Sequence, residues 1–243
     1  MYMLIQRYKE LFLQKQLWKF TSGDLNLGFG DFAIHQTMTP EMIMTHEEII
    51  KKAPLVILDA NFSQEAIDKV LEMCCVHHVP VFFEPTDPAK SVKAFKSPWQ
   101  KAIKYASPNI HELRFIANSD KKGQNDPNNE HNLEDVVNEC TELAKQIKAK
   151  TSISTLLVTI GEHGVLVFEG QNQVQHFKTH QAPEENVVSV SGAGDCLAAG
   201  FISGLLKGHD TTTSVEFGLK AASLSLKNTF TVPNELSMQM IQK

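Results

Sequence analysis

The sequence predicts an α/β fold built on a mostly parallel central sheet with helices on both faces. Three observations carry this. Short apolar runs of the buried-strand kind recur at residues 55–58, 79–83 and 155–160, an amphipathic helical repeat separates the second from the third, and each run stops at a polar or glycine-containing turn. Ligands of such sheets collect at the carboxyl ends of the strands. The turns at Asp59, Glu84, Asn109, Gly161 and Gly192 are therefore expected along one edge.

Composition narrows the partners. At 243 residues, 42% hydrophobic and 21% charged, the chain can bury one sizeable core. A net charge of −5, with no long run of Lys or Arg, argues against a nucleic-acid polymer or an anionic membrane and for a small-molecule partner. Cys74, Cys75, Cys140 and Cys196 form no CxxC pair, which fits a reducing, cytoplasmic setting better than a disulfide framework. No membrane-length apolar stretch and no secretory signal pattern is present. Without secretion, the sequon Asn61-Phe62-Ser63 is a chance match.

Taken in order, residues 1–20 space Leu4, Ile5, Tyr8, Leu11, Phe12 and Trp18 as a basic amphipathic helix would; docking on its own domain is favoured over membrane-surface contact or a transit peptide, and Glu10 with the scarcity of serine speaks against the last. Residues 21–40 turn to Gly, Asp and Thr and read as loop or short strands. The run at 55–58 is a strand, Ser63 caps a helix to about Val76, and 79–83 is the next strand. Pro85 and Pro88 exclude regular pairing beyond it. A helix over 89–94 and a strand over 103–106 precede a helix start at Pro108-Asn109. Residues 118–132 are polar throughout and read as an exposed loop. Leu133, Val136, Val137, Cys140, Leu143, Ala144 and Ile147 mark the clearest amphipathic helix. The strand at 155–160 turns through Gly161 to Gly164 into strands at 165–168 and 174–178. Helices to about Leu206 and over 212–226 follow.

The chemistry concentrates at Ser191-Gly192-Ala193-Gly194-Asp195, a small-residue loop running into a helix. Its amides can approach an anion closely, the helix N-terminus favours negative charge, and Asp195 could take a proton from a hydroxyl. Taken alone, the stretch is equally a tight loop with a helix cap. A Walker A loop and a strand-linked GxGxxG are both absent. Cys74, Cys75, His77 and His78 lack the spacing of a zinc set, and His35, His111 and His163 have no adjacent nucleophile. Glu112 sits where carboxylates favour a helix start.

Three segments in chain order change the weighing. Residues 189–201 resemble the second signature of the PfkB (ribokinase-like) carbohydrate kinases, Asn109-Ile110-His111-Glu112 resembles that family's Asn-x-x-Glu motif, and residues 159–164 resemble its Thr-x-Gly-x-x-Gly turn. The resemblance covers about residues 23–236, and Asp59-Ala60-Asn61 with Phe83-Glu84-Pro85-Thr86 look most like the pseudouridine kinase branch. It implies a three-layer α/β/α domain over residues 23–243, incomplete at its N-terminus and without the family's β lid, preceded by a helical extension over 1–22. It also implies ATP and Mg²⁺ as co-substrate and metal. Asp195 would be the base toward a sugar or nucleoside 5′-hydroxyl, and the amides of Gly192, Ala193 and Gly194 an anion hole. Asn109 would contact phosphates, Glu112 would hold Mg²⁺ through water, and Thr159, Gly161 and Gly164 would line the nucleotide site. A homodimer or a fusion-type partner is compatible. Two positions depart from the family: Ser189 stands where an aspartate often binds a monovalent cation, and Leu219 near an adenine-pocket asparagine. The family's N-terminal Gly-Gly and Asn sugar motif is missing, so the alternative is a truncated, catalytically weak nucleotide-binding or regulatory chain. Its lost strands would leave an open sheet edge.

Overall fold

The computed structural model describes residues 16–19, 25–29, 33–119, 132–170, 173–179, 187–233 and 236. The chain divides into two compact units, one holding the described residues 33–176, the other holding 16–19, 25–29 and those from 177 on. Among the described residues no helix is long and apolar enough to cross a membrane.

The first unit is built on a six-stranded sheet whose spatial order follows the chain: β3 (Val56–Asp59), β4 (Val81–Glu84), β5 (Ile103–Ala106), β6 (Thr155–Thr159), β7 (Val165–Glu169) and β8 (Gln173–Phe177). Strands β3 to β6 run parallel, and β7 turns back antiparallel on β6. β4 and β6 read as unbroken apolar runs because both of their faces are buried, whereas β3 leaves Ile57 exposed and β5 carries the half-buried Lys104 and Tyr105. Phe83 and Leu156 lie in the main core, while Phe82 and Leu157, of opposite parity, are also fully buried. On the main-core face, Ile67 and Leu71 of the helix Gln64–Val76, Leu113 and Ile116 of Ile110–Ala117, and Cys140, Leu143 and Ile147 of Leu133–Lys150 pack over Val56, Leu58, Val81, Phe83 and Val158.

Local chemistry sets the helix ends. Ser63 Oγ accepts from Ala66 N at 3.1 Å and Asn132 Oδ1 from Asp135 N at 3.0 Å, each meeting one of the donors a helix start leaves open. At the other end of Gln64–Val76, His78 adopts φ 56° and Val79 N returns to Cys74 O at 2.8 Å, which closes the last turn. The helix expected over 89–94 is two single turns instead, Pro88–Ser91 and Lys93–Lys96. Asp87 caps the first and Val92 separates the two.

In the second unit, β1 (Gln16–Lys19) pairs antiparallel with β2 (Leu25–Phe29). The helix expected over residues 1–20 is thus a strand at 16–19, and its remainder, 1–15, lies outside the described residues, as does the core of the polar loop, 120–131. Leu25, Leu27 and Phe29 alternate with Asn26 and Gly28, a strand pattern that gives residues 16–19 a partner helical spacing could not supply.

The helices Ala193–Leu206 and Thr211–Leu226 form a tight hairpin. A Cβ at Gly200 would stand 2.6 Å from Phe217 O and 2.7 Å from Gly218 Cα, and one at Gly218 would stand 2.6 Å from Leu197 O. Backbone therefore meets backbone at this crossing. Gly200→Ala is expected to destabilise the protein by about 1–3 kcal/mol, as the strain of separating the helices outweighs alanine's better helix propensity. Urea unfolding measures it. An unchanged midpoint would show that the crossing is looser than described.

Candidate active site

The residues singled out by sequence fall in both units, and each set is described within its own. In the first unit, the carboxyl ends of the parallel strands lie side by side. Asp59 pairs with Glu84 in register, Phe83 with Ala106, and beyond β5 and β6 an isolated parallel bridge joins Asn109 to Thr159. Thr159 N donates to Pro108 O at 3.1 Å. The Asn-x-x-Glu segment and the Thr-x-Gly-x-x-Gly turn are therefore neighbours.

Asn109 begins the helix Ile110–Ala117 with a reciprocal capping box. Its Oδ1 accepts from Glu112 N at 2.9 Å, while Glu112 Oε2 accepts from Asn109 N at 2.8 Å. The arrangement satisfies two helix-end donors and draws the Glu112 carboxylate inside, to 4% exposure. Among the described residues the other Glu112 oxygen and the Asn109 amide nitrogen take no hydrogen bond. Arg114 fixes the same helix from its far end through a bidentate pair with Glu139, 2.7 Å at both nitrogens.

Burial pushes the Glu112 carboxyl up to about 7, helped by the nearby charge of Asp87 and opposed by the hydrogen bonds from Asn109. A buried carboxylate with one oxygen unbonded and a second carboxylate, Asp87, nearby fits a divalent cation. Mg²⁺ asks for only one or two carboxylates and otherwise keeps its waters.

The turn after β6 is a single 3-10 turn, Gly161–His163, closed by Gly164 N to Gly161 O at 3.1 Å and Ile160 N to Gly164 O at 2.9 Å. Gly161 has φ 62° and no atom within 4 Å of where a Cβ would stand. Backbone there is open to a flat ligand.

A further cluster on this edge joins Asn61 and Thr86, which the sequence offered only within a family resemblance, to Asp87, Lys90 and Lys93, which it did not single out. Thr86 holds φ 71°, unfavourable for a β-branched residue, and its Oγ1 accepts from Ala60 N at 3.2 Å. Lys90 Nζ reaches Asp87 Oδ2 at 2.7 Å and Asn61 Oδ1 at 3.2 Å, and Lys93 Nζ reaches the carbonyls of Phe62 and Ala60 at 2.8 and 3.1 Å. Burial works to raise the Asp87 carboxyl, but the hydrogen bonds and charge of Lys90 keep it below its ordinary value. The two prolines flanking Thr86-Asp87 were the available signal.

In the second unit, Gly192 is the N-cap of Ala193–Leu206 at φ 85°, a conformation only glycine adopts readily. A Cβ there would also strike Thr231 Cγ2 at 2.1 Å. No side chain caps this helix. Ala193 N donates to Val190 O at 3.3 Å, so one of the three expected anion-hole amides is partly engaged, whereas Gly192 N and Gly194 N have no acceptor among the described residues. At Gly194 a Cβ would meet nothing within 4 Å, and Asp195 follows it on the exposed first turn. Uncapped donors, open space and an adjacent carboxylate suit an anion whose neighbour must lose a proton. The preceding loop is anchored by Val188 N and Ser189 N, both donating to Leu226 O. Ser189 Oγ accepts from Ser191 N at 3.2 Å, and Leu219 is buried.

Comparison with known proteins agrees with this geometry. Residues 17–235 match the family described as pfkB family carbohydrate kinase. A pseudouridine kinase of Arabidopsis thaliana is 27% identical over 268 residues, covering 91% of this chain and 69% of its own length. A pseudouridine kinase of Escherichia coli K12 is 26% identical over 218 residues, covering 89% and 63%. The chain thus spans about two-thirds of these relatives. The structure of Arabidopsis thaliana ribokinase complexed with ribose and ATP superposes with a TM-score of 0.65 at 19% identity, over 89% of this chain and 65% of that one, which shows a ribokinase-like α/β fold.

The Glu112 environment makes stability pH-dependent in a stated direction. The folded carboxyl keeps its proton to about pH 7, whereas the unfolded one loses it near 4.5. The folded state therefore binds more protons in that window, and stability falls as pH rises across it, by on the order of 3 kcal/mol. Glu112→Gln keeps an oxygen for the capping box and should flatten this slope. Denaturant midpoints from pH 4.5 to 7.5 decide it, and an unaltered slope in the variant would assign the dependence elsewhere.

Proposed function

Since the chain belongs to the pfkB family of carbohydrate kinases, we propose that it transfers the γ-phosphoryl group of ATP to the 5′-hydroxyl of a sugar or nucleoside, with pseudouridine as the acceptor. The observation that supports this best is the uncapped helix start at Gly192, with open space at Gly194 and Asp195 beside it. The pseudouridine kinase relatives support the choice of acceptor.

Asp195 accepts the proton of the attacking hydroxyl. The oxygen so freed forms the new bond to phosphorus, and the bond from phosphorus to the β-bridging oxygen breaks, releasing ADP. The amides of Gly192 and Gly194, and of Ala193 once it leaves Val190 O, stabilise charge on the transferring oxygens. Glu112 would be the carboxylate that holds Mg²⁺, which would supply charge neutralisation at the phosphates. The unbonded Asn109 amide donates to a phosphate oxygen, while Thr159, Gly161 and Gly164 present backbone to the nucleotide. Nucleotide use and four free cysteines suit a cytoplasmic setting.

Purified chain with Mg-ATP should phosphorylate pseudouridine faster than ribose, adenosine or fructose. Asp195→Asn should lower transfer by roughly 10²–10⁴-fold, the span of a general base, with ATP binding retained. Wild-type turnover in that variant would remove Asp195 from the base role. Nucleotide binding with no acceptor phosphorylated would favour a catalytically silent nucleotide-binding chain. Gly194→Ala separates fold from function: it should raise stability by about 0.4–1 kcal/mol, since the backbone tolerates a Cβ, and lower transfer because the methyl enters the anion space. Equal activity alongside higher stability would place the phosphoryl group elsewhere.

A further inference from the structure

The turns after β3 and β4 are tied together more heavily than a connection requires. Ala60 N is shared between Glu84 O at 3.1 Å and Thr86 Oγ1 at 3.2 Å, Lys93 Nζ holds the Ala60 and Phe62 carbonyls, and Gln64 Nε2 donates to Lys93 O at 3.1 Å. Thr86 sits at φ 71° to make its tie, a strained conformation for a β-branched residue that persists only where the surroundings enforce it. The result is a fixed start for the single helical turn Pro88–Ser91, with Asp87 Oδ1 accepting from Lys90 N at 2.9 Å. That turn packs against Ile110–Ala117, the helix carrying Glu112.

Charge gives the arrangement a purpose. The carboxyl edge of this unit carries Asp59, Glu84, Asp87 and Glu112, a set that would repel a polyphosphate. Two lysines stand among them. Lys93 is committed to backbone carbonyls, whereas Lys90, with 37% of its side chain exposed, is held by the side chains of Asp87 and Asn61, which can give it up to a stronger anion. We propose that Lys90 is a phosphate-binding residue. Its ammonium contacts the phosphate oxygens of the nucleotide, and Asp87 and Asn61 hold it in place before the nucleotide arrives. Charge-assisted bonds of this kind are the strong ones, and a compact ammonium suits phosphate as a point charge.

The inference rests on the kinase reading and is tested apart from turnover. Affinities of full-length wild type and Lys90→Gln for ATP, AMP and adenosine are measured by calorimetry at low salt, with circular dichroism confirming the fold. Lys90→Gln should weaken ATP about 10-fold and leave adenosine within about 2-fold, and Lys90→Arg should recover most of the loss. Asp87→Asn, which removes the tether but not the cation, should keep ATP binding within about 3-fold and serves if Lys90→Gln does not fold. An ATP affinity unchanged in Lys90→Gln, or an ATP loss in Asp87→Asn as large as that of Lys90→Gln, overturns the role of Lys90 alone. A wild-type protein that binds no ATP overturns the kinase reading and this inference together.

Discussion

The reciprocal hydrogen bonds between Asn109 and Glu112 are the interaction on which the first unit depends. They start the helix Ile110–Ala117, draw a carboxylate into the protein and leave one of its oxygens unbonded. Because Asn109 is also bridged to Thr159, the same four residues fix the turn after β6. Local capping, sheet register and site electrostatics are therefore a single arrangement, and a residue that looks like an ordinary helix cap in sequence becomes an ionisable group with a raised proton affinity. The burial that displaces its titration is the condition under which a cation would be welcomed.

The two units differ in what they leave open. In the second it is backbone: a left-handed glycine, an uncapped helix end and empty space where a side chain would be. In the first it is side chains, an amide and a carboxylate set beyond strand ends that the parallel register brings level. Backbone donors cost no side-chain ordering, whereas side chains add charge.

Much of this was legible in the sequence. Strands β3, β4, β6 and β7 announce themselves as apolar runs closed by turns, and the helix at Leu133–Lys150 by its spacing. The three motif segments land on a strand end, a β-turn-β connection and a helix start, as their glycines and caps require. What escaped had physical reasons. Residues 16–19 carry a helical apolar spacing that extends from 1–15, and only pairing with β2 makes them a strand. The single-turn helix at Pro88–Ser91 is too short for periodicity to register. Thr86 and Lys90 matter through hydrogen bonds to Ala60 and Asn61, 26 and 29 positions away, which no local pattern reports. Nor does sequence show that Ala193 shares its amide with Val190, since the loop could have turned with that donor free.

The glycine crossing of the hairpin has a mechanical consequence. Gly200 and Gly204 lie flush on Phe217, Gly218 and Ser214, so neither helix can slide or roll without a collision of main chain. Leu226, at the end of the second helix, receives the amides of Val188 and Ser189 just ahead of the Gly192 turn. Both ends of the loop are thus fastened to the same stiff pair. A load on the first turn of Ala193–Leu206 is therefore borne by the hairpin as a single strut.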